Sequence, residues 1–237
     1  MNLYNMIKNK KEYWLVDQMK RKDIPASQYK QQFTRVLNEW YRDGGGFLSV
    51  LMDESYENWL IDQGFHKISS IVEYTRKLDD LPELDPHIKG QSLSDGGMNE
   101  HDYSQLYELC RKGSANKNKQ QPIDQVMDSI KDELGPTWRN HCYYFTEDDA
   151  LIGIAIPHIE MGTKDEGRLF YFGVVPHLRG KGMGTIIHRN ALALLKQFSA
   201  KYYVGSTDIH NQNMIRIFER NGCQLRDRKG IYRIEEK

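Results

Sequence analysis

Two hydrophobic periods meet in the stretch 168–199. Residues 169–175 form a nearly continuous apolar run, as in a strand covered on both faces, and Pro176 ends it. From 185 to 198 the apolar positions recur at helical spacing. The same two signatures organise the rest of the chain. Residues 27–42 predict a helix, because Tyr29, Phe33, Val36, Leu37 and Trp40 fall on one stripe behind the N-cap candidate Ser27. Gly44, Gly45 and Gly46 stop it. A buried strand at 47–52 follows, then a short helix at 55–62 closed by Gly64, then one long or two short strands over 65–78. Residues 1 to about 23 are rich in Lys, Tyr and Met and show no clear period.

The acidic segment 79–86, DDLPELDP, carries two prolines and reads as a linker. Beyond it, 91–93 predicts a short strand, 99–110 and 122–134 two helices, and 141–160 a hairpin turning at Glu147, Asp148 and Asp149. Segments 112–121 and 161–167 are polar loops. After the central strand and helix come a strand at 202–206, a short helix at 213–220, Gly222 and strands to Ile234. The order helix, strand, short helix, glycine, strand therefore occurs twice, over 27–78 and 185–234. The expected organisation is an N-terminal α/β region, 1–85, built as a degenerate half-copy of the C-terminal fold without its glycine turn. A complete second domain, 86–237, follows it.

Candidate chemistry lies where the central strand hands over to the central helix, in Arg179-Gly180-Lys181-Gly182-Met183-Gly184. Glycines let backbone approach a phosphate closely, and the first turn of a helix offers N–H groups without intrahelical partners. With the helix dipole these favour a bound diphosphate. No Asp or Glu occurs from 183 to 207 to repel it. The turn does not supply the G-x-x-x-x-G-K-[ST] of a nucleotide-triphosphate loop. Nor is it a dinucleotide fingerprint, whose third glycine would fall at Thr185.

An R-x-x-G-x-G turn directly after a strand ending Val174-Val175-Pro176 resembles the acyl-CoA signature of the GNAT superfamily of N-acyltransferases. The stretch from Asn211 through Met214, Phe218 and Glu219 to Gly222 is similar to a second pattern of that family. The likeness extends element by element over about 90–235. It implies an α/β (α+β) fold with a central mixed, mostly antiparallel sheet, splayed in its middle to admit CoA and flanked by helices. It also implies acetyl-CoA as co-substrate, no metal, and direct acetyl transfer in a ternary complex to a primary amine on a small molecule or peptide.

Carried over position by position, the coenzyme contacts are Val174, Val175, Arg179, Gly180, Lys181, Gly182, Met183, Gly184, Thr185, Asn211, Met214 and Phe218. The Val174 N–H is expected to serve as oxyanion donor, with the strand distorting at Gly173. Many members carry a tyrosine where this chain has Phe218, which has no proton for the leaving thiolate. The alternative reading is therefore a weakly active or inactive acyl-CoA-binding module. Arg168 stands where some members carry a carboxylate, which leaves Tyr171 and Glu160 as the candidate bases, with Asp165, Glu166 and His158 nearby. His188 and Arg189 occupy the first turns of the phosphate helix, either on a solvated face or against a CoA phosphate.

Composition narrows the setting. The 33 basic and 33 acidic side chains cancel and leave no electrostatic footprint for nucleic acid. The N-terminus lacks the apolar run of a signal peptide, and apolar runs such as 151–156 are too short to span a bilayer. Cys110, Cys142 and Cys223 are odd in number and without CxxC spacing, which suits a reducing cytoplasm. The histidines show no metal-ligand spacing. The expected partners are acetyl-CoA and an amine, with no nucleic acid and no membrane, in a cytoplasmic monomer or homodimer.

Overall fold

The N-terminal residues without a visible period form a hairpin. In the computed structural model, which describes residues 2–9, 12–21, 23–43, 46–115 and 121–235, β1 (Tyr4–Asn9) pairs antiparallel with β2 (Tyr13–Gln18). β1 buries only Tyr4, so its pattern carries almost no hydrophobic signal. β2 does alternate, burying Trp14 and Val16, but the third inward residue is polar: Gln18 accepts the Asp53 N–H at 2.8 Å.

Two compact units divide the chain: residues 1–72 with 227–237, and residues 73–226. In the first unit, α1 (Ala26–Asp43) joins β2 to β3 (Phe47–Met52), which lies parallel to β2. α2 (Glu57–Asp62) follows a single 3-10 turn and leads into the first part of β4 (His66–Lys77), one unbroken strand. The last strand, β10 (Gln224–Glu235), ends in this unit, antiparallel to β3. Phe33, Trp40, Leu48, Val50, Met52, Leu60 and Tyr232 fill the core.

The second unit contains β5 (Ile88–Ser92), α3 (Glu100–Arg111), α4 (Ile123–Leu134), β6 (Tyr143–Glu147), β7 (Ala150–Ile159), β8 (Glu166–Val174), α5 (Met183–Gln197), β9 (Tyr202–Asp208) and α6 (Gln212–Arg220). Its strand order is β4-β9-β8-β7-β6-β5. The pairs β5–β6, β6–β7 and β7–β8 are antiparallel, and β8–β9 is parallel, so the sheet is mixed and mostly antiparallel. Helices α3 and α4 cover one face, with Ile154, Ile156 and Val175 beneath them. Helix α5 covers the other, over Ile152, Ala155 and Val174. The β6–β7 turn places Asp148 and Asp149 at φ 47° and 63°, the two left-handed positions of a tight hairpin. β5 begins three residues earlier than its sequence pattern suggests, because pairing with β6 at Ile88↔Glu147 defines it rather than its own hydrophobicity. Among the described residues no helix is long and apolar enough to cross a membrane.

An ion network closes the C-terminal end of β3 in the first unit. Lys20 bridges Asp53 and Asp227, while Glu54 takes Lys67 at 2.9 Å, Arg228 at 2.5 Å and the Ser70 hydroxyl at 2.5 Å. Burial opposes ionisation of Asp53, but hydrogen bonds from Lys20 and Ser55 outweigh it and bring its pKa to about 2. Burial is likewise outweighed at Glu54 by Ser70, Lys67 and Arg228, again giving about 2. Both carboxylates are depressed on folding, so their stabilisation is complete above the unfolded values near 4 and is lost as pH falls toward about 2. Urea unfolding followed by tryptophan fluorescence, with Trp14, Trp40 and Trp59 reporting on this unit, should show a midpoint that drops between about pH 5 and pH 3. In Glu54→Gln the drop should be shallower; an equal drop would remove Glu54 from the account.

Candidate active site

Strands β8 and β9 pair at Glu166↔Tyr202 and Gly167↔Tyr203, although β8 continues to Val174 and β9 to Asp208. A register slip on the other side of β8 accompanies this parting. Ala155 of β7 stands opposite Phe172, but Pro157 stands opposite Leu169, so β8 carries one extra residue at Phe170–Tyr171. Pro157 has no N–H for the ladder, which makes this the cheap place for the slip. Both Phe170 and Tyr171 consequently pack on the α3–α4 face, while Leu169 and Phe172 face α5. The distortion therefore precedes Gly173, which sits in register opposite Ile154.

Past the bulge the strand alternates normally. The Val175 N–H donates to Ile152 O at 3.1 Å, so the N–H and C=O of Val174 point away from β7, to the side where β9 has diverged. Val175 has its N–H engaged, its carbonyl accepting from Leu178 N–H at 3.1 Å and its side chain buried.

Gly180 and Gly182 adopt φ of 76° and 91°, and a Cβ built on either would meet no atom within 4 Å. The hand-over from strand to helix is open. Gly182 is the N-cap of α5 and makes no side-chain cap, so the first-turn donors of Met183 and Gly184 remain for a ligand. The Gly182 carbonyl is used by Thr185 N–H at 2.9 Å. Gly184 serves packing instead: a Cβ there would lie 2.7 Å from Ile217 of α6. At the start of α6, the Asn211 side chain caps the helix through Met214 N–H at 3.3 Å and donates to Thr207 Oγ1 at 3.0 Å. Asn211 and Met214 are half-buried, whereas Phe218 is sealed, stacked on Tyr74 with ring centroids 5.1 Å apart and edge-on to His188.

His188 is fully buried, not solvated, because α5 presents a broad inward face. Its Nδ1 accepts from Asn221 Nδ2 at 2.9 Å, and the same amide donates to Thr185 O at 3.0 Å. Burial, with Arg76 nearby, pushes the imidazole pKa down to about 3 and keeps it neutral.

The titratable candidates separate into two groups. Tyr171 stacks on Tyr107 at 4.2 Å, and its hydroxyl lies 3.0 Å from where a Cβ on Gly173 would stand. Burial and the neighbouring Cys110 raise its phenol pKa, which keeps the hydroxyl protonated at neutral pH. Burial also takes the Cys110 thiol up to about 12, despite Arg179, which leaves it un-ionised and unsuited to forming an acyl-enzyme. The second group surrounds Arg168: Glu166 at 2.7 Å, Glu160 at 3.3 Å and Glu73 at 3.9 Å, with the Tyr202 hydroxyl donating to Glu166 at 3.1 Å. Arg168 is opposite His158 in β7 and lies six residues before Val174. Because of the bulge those six residues span only five of β7, which at ~3.3 Å per residue is roughly 17 Å and keeps the Arg168 network out of direct reach of a group reacting at Val174. Among the described residues no group of three or more His, Cys, Asp or Glu side chains is placed to hold a metal ion.

No curated protein matches the chain. Solved structures do. A GCN5-related N-acetyltransferase from Sphaerobacter thermophilus superposes with a TM-score of 0.69 at 14% identity, covering 98% of this chain and 76% of that one. A GNAT-family acetyltransferase from Colwellia psychrerythraea gives 0.64 at 11% identity, covering 99% and 81%. A tandem GNAT protein from the clavulanic acid biosynthesis pathway gives 0.62 at 13%, covering 98% and 78%. At these identities the structures establish the fold alone. The sequence itself matches the acetyltransferase (GNAT) family over residues 105–223, the span holding the bulged strand, the glycine turn and α6, and the chain belongs to that family.

Proposed function

We propose that the protein is an N-acetyltransferase that moves the acetyl group of acetyl-CoA to a primary amine by direct attack in a ternary complex. The observation that carries this is the gap between β8 and β9, with the Val174 N–H directed into it and the open glycine turn at its end. The coenzyme fits this chain because Gly180 and Gly182 leave free space and α5 begins without a side-chain cap or an acid. Gly180, Lys181, Gly182, Met183, Gly184 and Thr185 would hold the diphosphate, and Val174, Asn211 and Met214 the pantetheine arm. Bound, acetyl-CoA supplies an acetyl group activated as a thioester.

The chain's own residues then have definite tasks. Val174 N–H donates to the carbonyl oxygen as negative charge builds on it. Tyr171, kept protonated, has its hydroxyl beside Gly173, the residue before Val174, and takes over the task at the leaving sulfur that Phe218, sealed in its aromatic cluster, does not perform. The amine must be neutral to attack, and its proton leaves through water in the gap toward the Glu160–Glu166–Arg168 network. The burial of Phe218 also favours a second reading, an acyl-CoA-binding module without turnover.

In the same reading, residues 1–85 are a degenerate half-copy of the transferase fold. Supporting this, β2 and β3 are parallel across α1 as β8 and β9 are across α5, and the matched tandem protein aligns over nearly the whole chain. The three cysteines are free and buried, in keeping with a reducing cytoplasm.

A thiol-release screen with acetyl-CoA and a panel of primary amines tests turnover directly. Binding by calorimetry without release for any amine would favour the second reading. Gly182→Glu places a carboxylate at the turn and a side chain at φ 91°. It should abolish acetyl-CoA binding while a cooperative melt persists; unchanged affinity would reject the turn as the phosphate site. Tyr171→Phe should slow release by about 100-fold at unchanged acetyl-CoA affinity. An unaltered rate would take Tyr171 out of the chemistry.

A further inference from the structure

The arginine of the glycine turn does not face the turn. Three of the donors of Arg179 are spent on backbone carbonyls: Nε on Val174 O at 3.1 Å, Nη1 on Lys112 O at 2.8 Å and Nη2 on Cys110 O at 2.7 Å. Cys110 and Lys112 lie at the C-terminal end of α3, where carbonyls lack intrahelical partners and the helix dipole favours a cation. The third carbonyl belongs to Val174, whose N–H and C=O point to the same side of β8. A planar guanidinium with its donors in a fixed fork can join these three acceptors, and an ammonium cannot.

We propose that Arg179 is a positioning residue for the transfer and not a phosphate ligand. Its guanidinium fixes the Val174 carbonyl and ties it to the last turn of α3, so that the C-terminal end of α3 and the aim of the Val174 N–H are coupled through one residue. The proposal rests on Val174 being the oxyanion donor. The clamp itself does not, and exists in the protein without ligand.

Three measurements on the full chain separate the roles. In amide exchange of the free protein, Arg179→Gln and Arg179→Lys should both speed exchange at Lys112, whose N–H closes the last turn of α3 onto Glu108 and Leu109. In calorimetry with 3′-phosphoadenosine 5′-diphosphate, which carries the phosphates without the pantetheine arm, both variants should bind within about twofold of the parent, since no charge-assisted contact is lost. In turnover, kcat should fall at least about tenfold with the acetyl-CoA KM little changed, as expected when an interaction made only in the transition state is removed. The proposal is overturned if Arg179→Gln loses tenfold or more in nucleotide affinity and Arg179→Lys restores it, which is the behaviour of a phosphate ligand. Should the variants not fold, the Arg179 Nε–H resonance of the parent decides. It should stay protected and unshifted on nucleotide titration, and a large shift would place the side chain on the phosphates. A parent that binds no acetyl-CoA would end the transferase reading while leaving the exchange result as a valid test of the clamp.

Discussion

Strand β8 loses its neighbour after two residue pairs, and the architecture of the second unit follows from what becomes of the backbone groups left over. A strand inside a sheet normally satisfies its N–H and C=O groups on both sides, and an unmet buried group costs about 1–3 kcal/mol. At Val174 the structure meets half of that demand internally. The carbonyl receives the Arg179 guanidinium, and the N–H beside it is left facing the gap. A group that accepts one hydrogen bond at that point completes the strand. In the proposed reading that group is an acyl carbonyl, met by the N–H of the same residue whose carbonyl is held.

Electrostatics grade along the gap. At one end the α5 N-terminus has no acid in its first turn, so the positive end of the helix dipole is not opposed. At the other end Glu73, Glu160 and Glu166 are gathered on Arg168. In the proposed reading, a polyanionic coenzyme and a proton-releasing amine make opposite demands, and the two ends would answer them separately. Roughly 17 Å of strand separates Arg168 from Val174, so no carboxylate of that network lies beside the Val174 N–H.

The central strand, the glycine turn and both flanking helices were legible because each depends on local rules: an apolar run, φ values only glycine adopts readily, a 3.6-residue period. What stayed hidden depends on partners distant in sequence. The bulge at Phe170–Tyr171 is set by Pro157 across the ladder, and Gly173, the locally obvious place for a distortion, keeps its register. His188 reads as a surface residue until Asn221 takes its Nδ1. Arg179 reads as a phosphate contact until the carbonyls of Cys110 and Lys112, nearly seventy residues earlier, claim its donors. The β1–β2 hairpin was invisible because one strand is mostly exposed and the other turns a glutamine inward.

The first unit supplies an internal control on which of these features makes the gap. It has the same sequence of an antiparallel pair, a crossover helix and a parallel strand. Yet β1 and β2 run in unbroken register, and β2 and β3 stay paired from Tyr13↔Phe47 to Asp17↔Leu51. No residue from 19 to 25 is a glycine. Element order alone therefore does not open a sheet. In the second unit the one-residue slip against β7 twists β8 more strongly than its parallel neighbour can follow, as bulges do. The glycine turn then uses the space that opens, and Arg179 holds the strand end in place.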